Sequence, residues 1–254
     1  MTDAQRLFDL TGKVALVTGG SRGLGRAMVL AFAAAGADVV IASRKLDACR
    51  ETADEVQRAT GRRALPVACH VGYWDQVDTL AETAYREFGR VDVLVNNAGM
   101  SPRYDRVEQV TEELYDKVLD VNLKGPFRLT ALVGARMAAT GGGSIIMVSS
   151  ISAIRPTPDT IPYAAAKAGL NTLTVGFAVT FGPTVRSNGI MVGPFLTDIS
   201  KAWDVDAFQE RARREMALGR AGEPEEVVGA ALYFASRAST FTTGAVLSVH
   251  GGVP

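Results

Sequence analysis

The sequence predicts an α/β fold: a doubly wound parallel sheet of seven strands with helices on both faces, in one domain spanning residues 1–254. Three observations lead there. Strand and helix signals alternate from end to end, the pattern of a parallel sheet built from βα units. The strand signals are short apolar runs without alternation, as strands covered on both faces require. No Ser/Gly tract, Pro-rich run or charge block divides the 254 residues, and a chain of this length can bury a core large enough to stand alone.

Taken in order, Val14-Ala15-Leu16-Val17-Thr18 reads as the first strand and Arg26–Ala35, rich in Ala, Leu and Met, as the first helix. Asp38–Ala42 is a second strand. Lys45–Ala59 is an amphipathic helix stopped by Gly61, Ala64–Cys69 a third strand, and Asp75–Phe88 a helix ending near Gly89. Val91–Val95 is the fourth strand and runs into Asn96-Asn97-Ala98-Gly99. A helical region, broken around Ser101–Asp105, fills about Val107–Ala139 until Gly141-Gly142-Gly143 ends it. Ser144–Val148 is the fifth strand, followed by a loop holding Pro156, Pro158 and Pro162. Ala164–Val179 is a helix, Arg186–Val192 the sixth strand, and Phe195–Leu218 irregular and mostly helical. Glu225–Ala235 is a helix opened by Glu223-Pro224, and Ala245–Val249 the last strand.

Composition narrows the function. Lys plus Arg and Asp plus Glu both number 27, so the net charge is zero, which argues against a nucleic-acid binder. Cys49 and Cys69 form no disulfide framework and fit a reducing cytoplasm. Met1–Leu10 carries Asp3 and Asp9 and no apolar core, unlike a secretory signal, and no apolar run reaches the roughly 20 residues that span a bilayer. With His70 and His250 as the two histidines and no ligand cluster, a metal site is not expected. The expectation is a cytoplasmic protein whose partner is a small molecule, neither nucleic acid nor membrane.

The junction of first strand and first helix carries the strongest local signal. Gly19, Gly23 and Gly25 are spaced G-x3-G-x-G between a buried strand and a helix. Glycines allow a tight turn and close backbone approach, and a helix N-terminus offers unpaired N–H groups to a pyrophosphate. A glycine triplet alone is weak evidence, and a plain glycine-rich turn is its bland alternative.

Further motifs change the weight. Thr18-Gly19-Gly20-Ser21-Arg22-Gly23-Leu24-Gly25, Asn96-Asn97-Ala98-Gly99, Asn122, Ser150, Tyr163-Ala164-Ala165-Ala166-Lys167 and Thr243-Gly244-Ala245 occur in order. By these the chain resembles the classical short-chain dehydrogenases/reductases over nearly its whole length. The resemblance implies a Rossmann-like fold, a nicotinamide cofactor, and hydride transfer between an alcohol and a carbonyl. It also implies a homotetramer packed through the helices bearing Asn122 and Tyr163, which the small-residue run Ala164–Gly169 would suit.

Tyr163 and Lys167 are four residues apart and share a helix face. A tyrosine serving as base near neutral pH needs its pKa of about 10 lowered by roughly 3 units, or about 4 kcal/mol. One ammonium about 4 Å away is worth about 4 kcal/mol at an effective dielectric of 20, so Lys167 could supply much of the shift. The resemblance adds that Lys167 holds the nicotinamide ribose. Ser150 follows the fifth strand, where ligands bind in open α/β sheets. The resemblance makes it the donor that polarises the substrate oxygen; Ser149 and Ser152 are its rivals. Asn122 is either a structural amide bonding helix backbone or, as the resemblance implies, part of a proton relay from Lys167, and the two are compatible.

The expected cofactor contacts are Gly19, Ser21, Arg22, Gly23, Leu24 and Gly25 in the turn, then Ser43 and Arg44 after the second strand. Val71, Asn97, Ala98, Gly99, Gly193 and Thr197 follow, with Tyr163 and Lys167. An acidic residue at the end of the second strand would bind a ribose 2′-hydroxyl. Ser43 and Arg44 stand there instead, with Arg22 nearby, and two guanidinium groups suit a 2′-phosphate. NADP(H) is expected, with NAD(H) left open by Asp47. Three departures from the family bear on this: His70 replaces an aspartate of the adenine pocket, Val192-Gly193-Pro194 shifts a proline, and His250 replaces a common aspartate.

Met100–Asp105, Ile151–Pro162 and Phe195–Leu218 would wall the substrate. The last, with Phe195, Leu196, Trp203 and Phe208, reads as a lid with an apolar inner face. A mainly hydrophobic carbonyl or alcohol and an anionic substrate meeting Arg103 and Arg155 both remain open. So do a 3-oxoacyl-carrier-protein reductase and a dinucleotide-sensing protein without turnover, although Tyr163 and Lys167 are those of an enzyme.

Overall fold

The computed structural model describes residues 2–197 and 205–253. A seven-stranded sheet runs in the order β3-β2-β1-β4-β5-β6-β7. The strands are β1 Val14–Thr18, β2 Asp38–Ser43, β3 Ala64–Ala68, β4 Val93–Asn96, β5 Gly143–Ser150, β6 Val185–Val192 and β7 Val246–Val249. Every pairing is parallel. Chain order reverses between β1 and β4, so a crevice opens at their carboxyl ends.

The helices are α1 Asp3–Leu7, α2 Gly23–Ala34, α3 Leu46–Thr60, α4 Trp74–Phe88, α5 Glu112–Leu119, α6 Gly125–Ala139, α7 Ile161–Phe181, α8 Val205–Glu215 and α9 Val228–Ala235. Side chains of the central strands point alternately to two cores. Ala15, Val17, Val93, Val95, Ile146 and Val148 pack with α2, α3 and α9. Leu16, Leu94, Ile145 and Met147 pack with α4, α6 and α7. The chain is thus one Rossmann-like, three-layer α/β domain, as the alternating signals predict.

Several boundaries differ from the sequence reading, each for a local reason. Helix α2 starts at Gly23, three residues before Arg26, so two of the motif's glycines form its first turn. The region Val107–Ala139 is not one helix. Val107–Gln109 is a single 3-10 turn, and Thr111 then caps α5 by accepting from the Leu114 amide. Asp120–Lys124 forms a π-helical turn between α5 and α6. Strand β5 begins at Gly143 and extends through Ser150. Pro162 lies inside the first turn of α7, where its missing N–H is no loss. Strand β4 starts at Val93; Val91 precedes it.

Candidate active site

A cleft of about 1020 Å³ lies at the carboxyl ends of the strands. This is the large end of the range of roughly 300–1,000 Å³ for small-molecule sites. It brings together Gly19, Ser21, Arg22, Gly23, Leu24, Ser43, Arg44, Val71, Asn97, Ala98, Gly99, Tyr163, Lys167, Gly193 and Thr197. Ser149 and Ser152 line it too, whereas Gly25, Ser150 and Asn122 are not among its lining residues.

The glycine turn is built by close approach. Gly19 (φ 64°) and Gly23 (φ 50°) adopt left-handed backbone. A Cβ on Gly25 would sit 2.1 Å from the Gly19 carbonyl oxygen, so Gly25 shapes the turn from inside. A Cβ on Gly19 would meet Asn97 Nδ2 at 2.7 Å. That nitrogen donates to the carbonyls of Thr18 (2.9 Å) and Gly19 (3.2 Å). Thr18 Oγ1 in turn accepts the backbone amides of Asn97 and Ala98 at 3.0 and 3.1 Å. The loops after β1 and β4 are therefore laced together beside the turn.

Asn122 lies in the π-helical turn and is fully buried. Its Nδ2 donates to the carbonyls of Met100 and Val118, both at 2.9 Å, and its Oδ1 accepts the Met100 amide at 3.2 Å. A Cβ on Gly99 would lie 2.9 Å from Asn122 Oδ1 and 3.6 Å from Lys167 Nζ, so the two groups flank Gly99.

Ser149 and Ser150 occupy the end of β5 and divide two tasks. Ser149 Oγ is buried and donates to the Lys167 carbonyl at 3.2 Å. Ser150 hydrogen-bonds the Tyr163 phenol and also accepts the Ser152 amide at 3.1 Å. Geometry thus favours Ser150 over its neighbour for contact with the phenol. Lys167 Nζ donates to the Val148 carbonyl at 2.8 Å and lies 5.7 Å from the Tyr163 ring centroid. Burial pushes this ammonium down to about 8. Burial also raises the Tyr163 phenol above its ordinary 10, with the Ser150 hydrogen bond opposing. The expected lowering by Lys167 is therefore absent: its ammonium is engaged by Val148, and desolvation dominates.

On the β2–β3 side, Ser21 Oγ donates to Ser43 Oγ at 2.9 Å, and Ser43 Oγ lies 3.0 Å from the buried Cys49 Sγ. Arg44, Lys45 and His70 line the cleft here. Asp47 does not; it pairs with Arg50 at 2.9 Å. On the opposite side, a Cβ on Gly193 would stand 2.7 Å from His250 Cα, which accounts for a glycine in Val192-Gly193-Pro194. Thr197 reaches over the turn, since a Cβ on Gly23 would meet its Cγ2 at 3.3 Å. Phe195 and Phe208 line the cleft, while Leu196 is exposed. Trp203 lies outside the described residues. Arg103 pairs with Asp159, and the Ile161 amide donates to Tyr104 Oη at 2.9 Å, so the two rim loops are braced together.

Residues 19–254 match the family model described as enoyl-(acyl carrier protein) reductase. The chain is 36% identical over 247 residues to human dehydrogenase/reductase SDR family member 4, covering 96% of this chain and 88% of that protein. It is 37% identical over 248 residues to a 3-oxoacyl-(acyl-carrier-protein) reductase of Thermotoga maritima, covering 96% and 98%. The chain belongs to the short-chain dehydrogenase/reductase family. Among solved structures of this family, the NADPH-dependent 3-quinuclidinone reductase of Rhodotorula rubra superposes with a TM-score of 0.93 at 31% identity, covering 99% and 95%. As a short-chain dehydrogenase/reductase, the protein is an oxidoreductase acting between CH–OH and C=O groups.

Sequence reasoning missed several residues that the short-chain dehydrogenase/reductase cleft gathers. Lys45 adjoins Arg44 and could have been found as a third cation of that cluster. Arg211 lines the cleft from α8 beside Phe208, which the lid reading names; the amphipathic pattern of α8 does not say which charged residue turns inward. Cys49 and Cys69 were read as ordinary thiols, yet one supports Ser43 and the other lines the cleft. Among the described residues no helix is long and apolar enough to cross a membrane, and no group of three or more His, Cys, Asp or Glu could hold a metal.

Proposed function

We propose that the chain is an NADP(H)-dependent oxidoreductase exchanging a hydride with a carbonyl or secondary-alcohol substrate, with Tyr163 as general acid/base. One observation carries this: a single cleft joins a glycine turn, too tightly packed for a Cβ at Gly19 or Gly25, to a phenol hydrogen-bonded by Ser150. The bound dinucleotide supplies the hydride chemistry; the chain's own groups do the rest. The Gly19–Gly25 turn, with Leu24, and the N-terminus of α2 receive the pyrophosphate. Arg22, Ser43 and Arg44, assisted by Lys45 and Ser21, surround the 2′-phosphate. Val71, Asn97, Ala98 and Gly99 border the adenosine, and Gly193 and Thr197 the carboxamide. Lys167 orients the nicotinamide ribose. Ser150 polarises the substrate oxygen, and Tyr163 Oη delivers its proton. A phenol raised by burial stays protonated at neutral pH, which suits the reductive direction. Asn122 fixes Gly99 and Met100 beside Lys167 and belongs to the same proton path.

Phe195 and Phe208, from the described parts of the segment at about 195–218, would cover the substrate; residues 198–204 of that segment lie outside the described residues. Met100, Val192, Phe195 and Phe208 favour an apolar carbonyl compound, with Arg103 paired to Asp159 and Arg211 the cation on the α8 side. The Thermotoga relative supports a second reading, reduction of carrier-bound 3-oxoacyl chains; faster turnover of these than of simple ketones would establish it. We assign the protein to the cytoplasm as a homotetramer. Within the run Ala164–Gly169, Ala165 is exposed while Ala164 and Ala166 are buried within the chain. Ile161, Val175 and Val179 add an outward apolar stripe to the same helix, α7, which suits a contact between copies.

Titration of purified protein with NADPH and NADH, followed by fluorescence, tests the cofactor assignment. NADPH is expected to bind at least about tenfold more tightly, a difference of about 1.4 kcal/mol. A preference for NADH would refute the roles of Arg22 and Arg44, and binding of neither would refute the dinucleotide reading.

A further inference from the structure

His70 lines the cleft on the β2–β3 side, and the proposed reaction gives it no task. The parallel ladder continues one step past β3, the Cys69 amide donating to the Ser43 carbonyl at 2.9 Å. This sets His70 alongside Arg44 at the carboxyl edge of the sheet. The ring is held by its own turn. Nδ1 accepts the Gly72 amide at 3.2 Å, and the ring packs on Tyr73 with centroids 4.6 Å apart. The His70 amide donates to Gln76 Oε1 at 2.8 Å. A Cβ on Gly72 would stand 3.0 Å from His70 Cε1, so the ring lies close against the Gly72 backbone.

The ring's protonation follows. Burial first, then Arg44, lowers the imidazole pKa below 6.5, with Lys117 acting in the same sense and Asp120 and the backbone opposing. The ring is neutral at neutral pH. A neutral imidazole carries one hydrogen, and with Nδ1 accepting, that hydrogen sits on Nε2. No described residue accepts it.

We propose that His70 reads the purine of the bound dinucleotide as a hydrogen-bond donor, through Nε2–H, and selects a base with an acceptor at position 1 or 6. This rests on the dinucleotide reading above. A dinucleotide lies across the switch point of a doubly wound sheet. Tyr163 and Lys167 mark its nicotinamide end beside β5, so its purine falls on the β2–β3 side, where His70 stands. A carboxylate at this position would accept from the 6-amino group of adenine. A donor uses adenine N1 instead, and it accepts a 6-oxopurine equally well through O6.

The test compares affinities of NADPH and its hypoxanthine analogue by fluorescence titration of the wild type, His70→Asp and His70→Gln. In the wild type the two are expected to bind within about threefold of each other. His70→Asp is expected to favour adenine by about tenfold, about 1.4 kcal/mol, because its carboxylate repels O6. His70→Gln keeps an N–H donor and is expected to retain the wild-type ratio. An unchanged ratio in His70→Asp, or a tenfold preference for adenine in the wild type, overturns the proposal. If neither nucleotide binds the wild type, the dinucleotide reading itself fails. Nitrogen-15 spectra of the wild type give a reading independent of variant folding: NADPH should shift the Nε2 resonance of a histidine in the Nε2–H tautomer. An unmoved resonance in the presence of bound NADPH overturns the proposal.

Discussion

Lys167 Nζ lies 5.7 Å from the centroid of the Tyr163 ring and donates to the Val148 carbonyl at 2.8 Å, so α7 presents a buried cation beside the phenol while β5 holds it in place. The ammonium titrates at about 8 because burial disfavours its charge. Carbonyl reduction needs that charge and a protonated phenol. The rate of reduction should therefore be flat through neutral pH and fall as pH rises past about 8. A pH profile of kcat between 6 and 10 checks this.

The same shift has a consequence for stability. A lysine whose folded pKa lies below its ordinary 10.5 binds more protons when unfolded. Its burial cost is complete below about 8 and is relieved as pH rises towards 10.5. The wild type should gain stability relative to Lys167→Met across that window. Paired melting curves at pH 7 and pH 10 would show it, and a constant difference would contradict it.

Ser149 and Ser150 should separate cleanly. Ser149→Ala removes a buried hydrogen bond to the Lys167 carbonyl and should cost about 1 kcal/mol of stability, with kcat within a few-fold. Ser150→Ala should lower kcat about a hundredfold or more while NADPH affinity holds. Tyr163→Phe should act in the same way and more severely, by about 10² to 10⁴. Steady-state kinetics and cofactor titration distinguish all three.

Gly25→Ala places a methyl group 2.1 Å from the Gly19 carbonyl oxygen, a contact that backbone must yield to relieve. Overpacking of this kind costs about 1–3 kcal/mol or more. Because the displaced atoms form the cradle, dinucleotide affinity should fall along with the denaturation midpoint.

Val179 is 80% exposed and Val175 49%, on one stripe of α7. If the chain assembles as the proposed homotetramer and covers this stripe, Val179→Lys should shift sedimentation towards smaller species without altering the fold. An unaltered tetramer would place the contact elsewhere.

What the sequence made legible and what it hid have physical explanations. β1, β2 and β4 are short, buried and mainly apolar runs because helices cover both faces of the sheet, and their length marks them as strands. The motif residues were legible because a glycine turn, a Tyr and a Lys four residues on, and a serine at a strand end each have a chemical purpose. The π-helical turn holding Asn122 was not, since an i→i+5 backbone bond leaves no mark in composition. Nor was the tie between Asn97 and Gly19, which joins residues 78 positions apart. The direction of the Tyr163 shift also escaped, because charge is visible in a sequence and desolvation is not.

The base of α8 is fastened to the end of the chain. The Ala217 amide donates to the Gly252 carbonyl at 3.1 Å and that of Leu218 to Gly251 at 3.0 Å. Both glycines adopt left-handed backbone, and a Cβ on Gly252 would come within 2.5 Å of Ala217 Cβ. A side chain at either position would lever the helix that carries Phe208 and Arg211 over the cleft. The range of accepted substrates is thus open to drift at positions that never meet one, and a screen confined to pocket residues would overlook them.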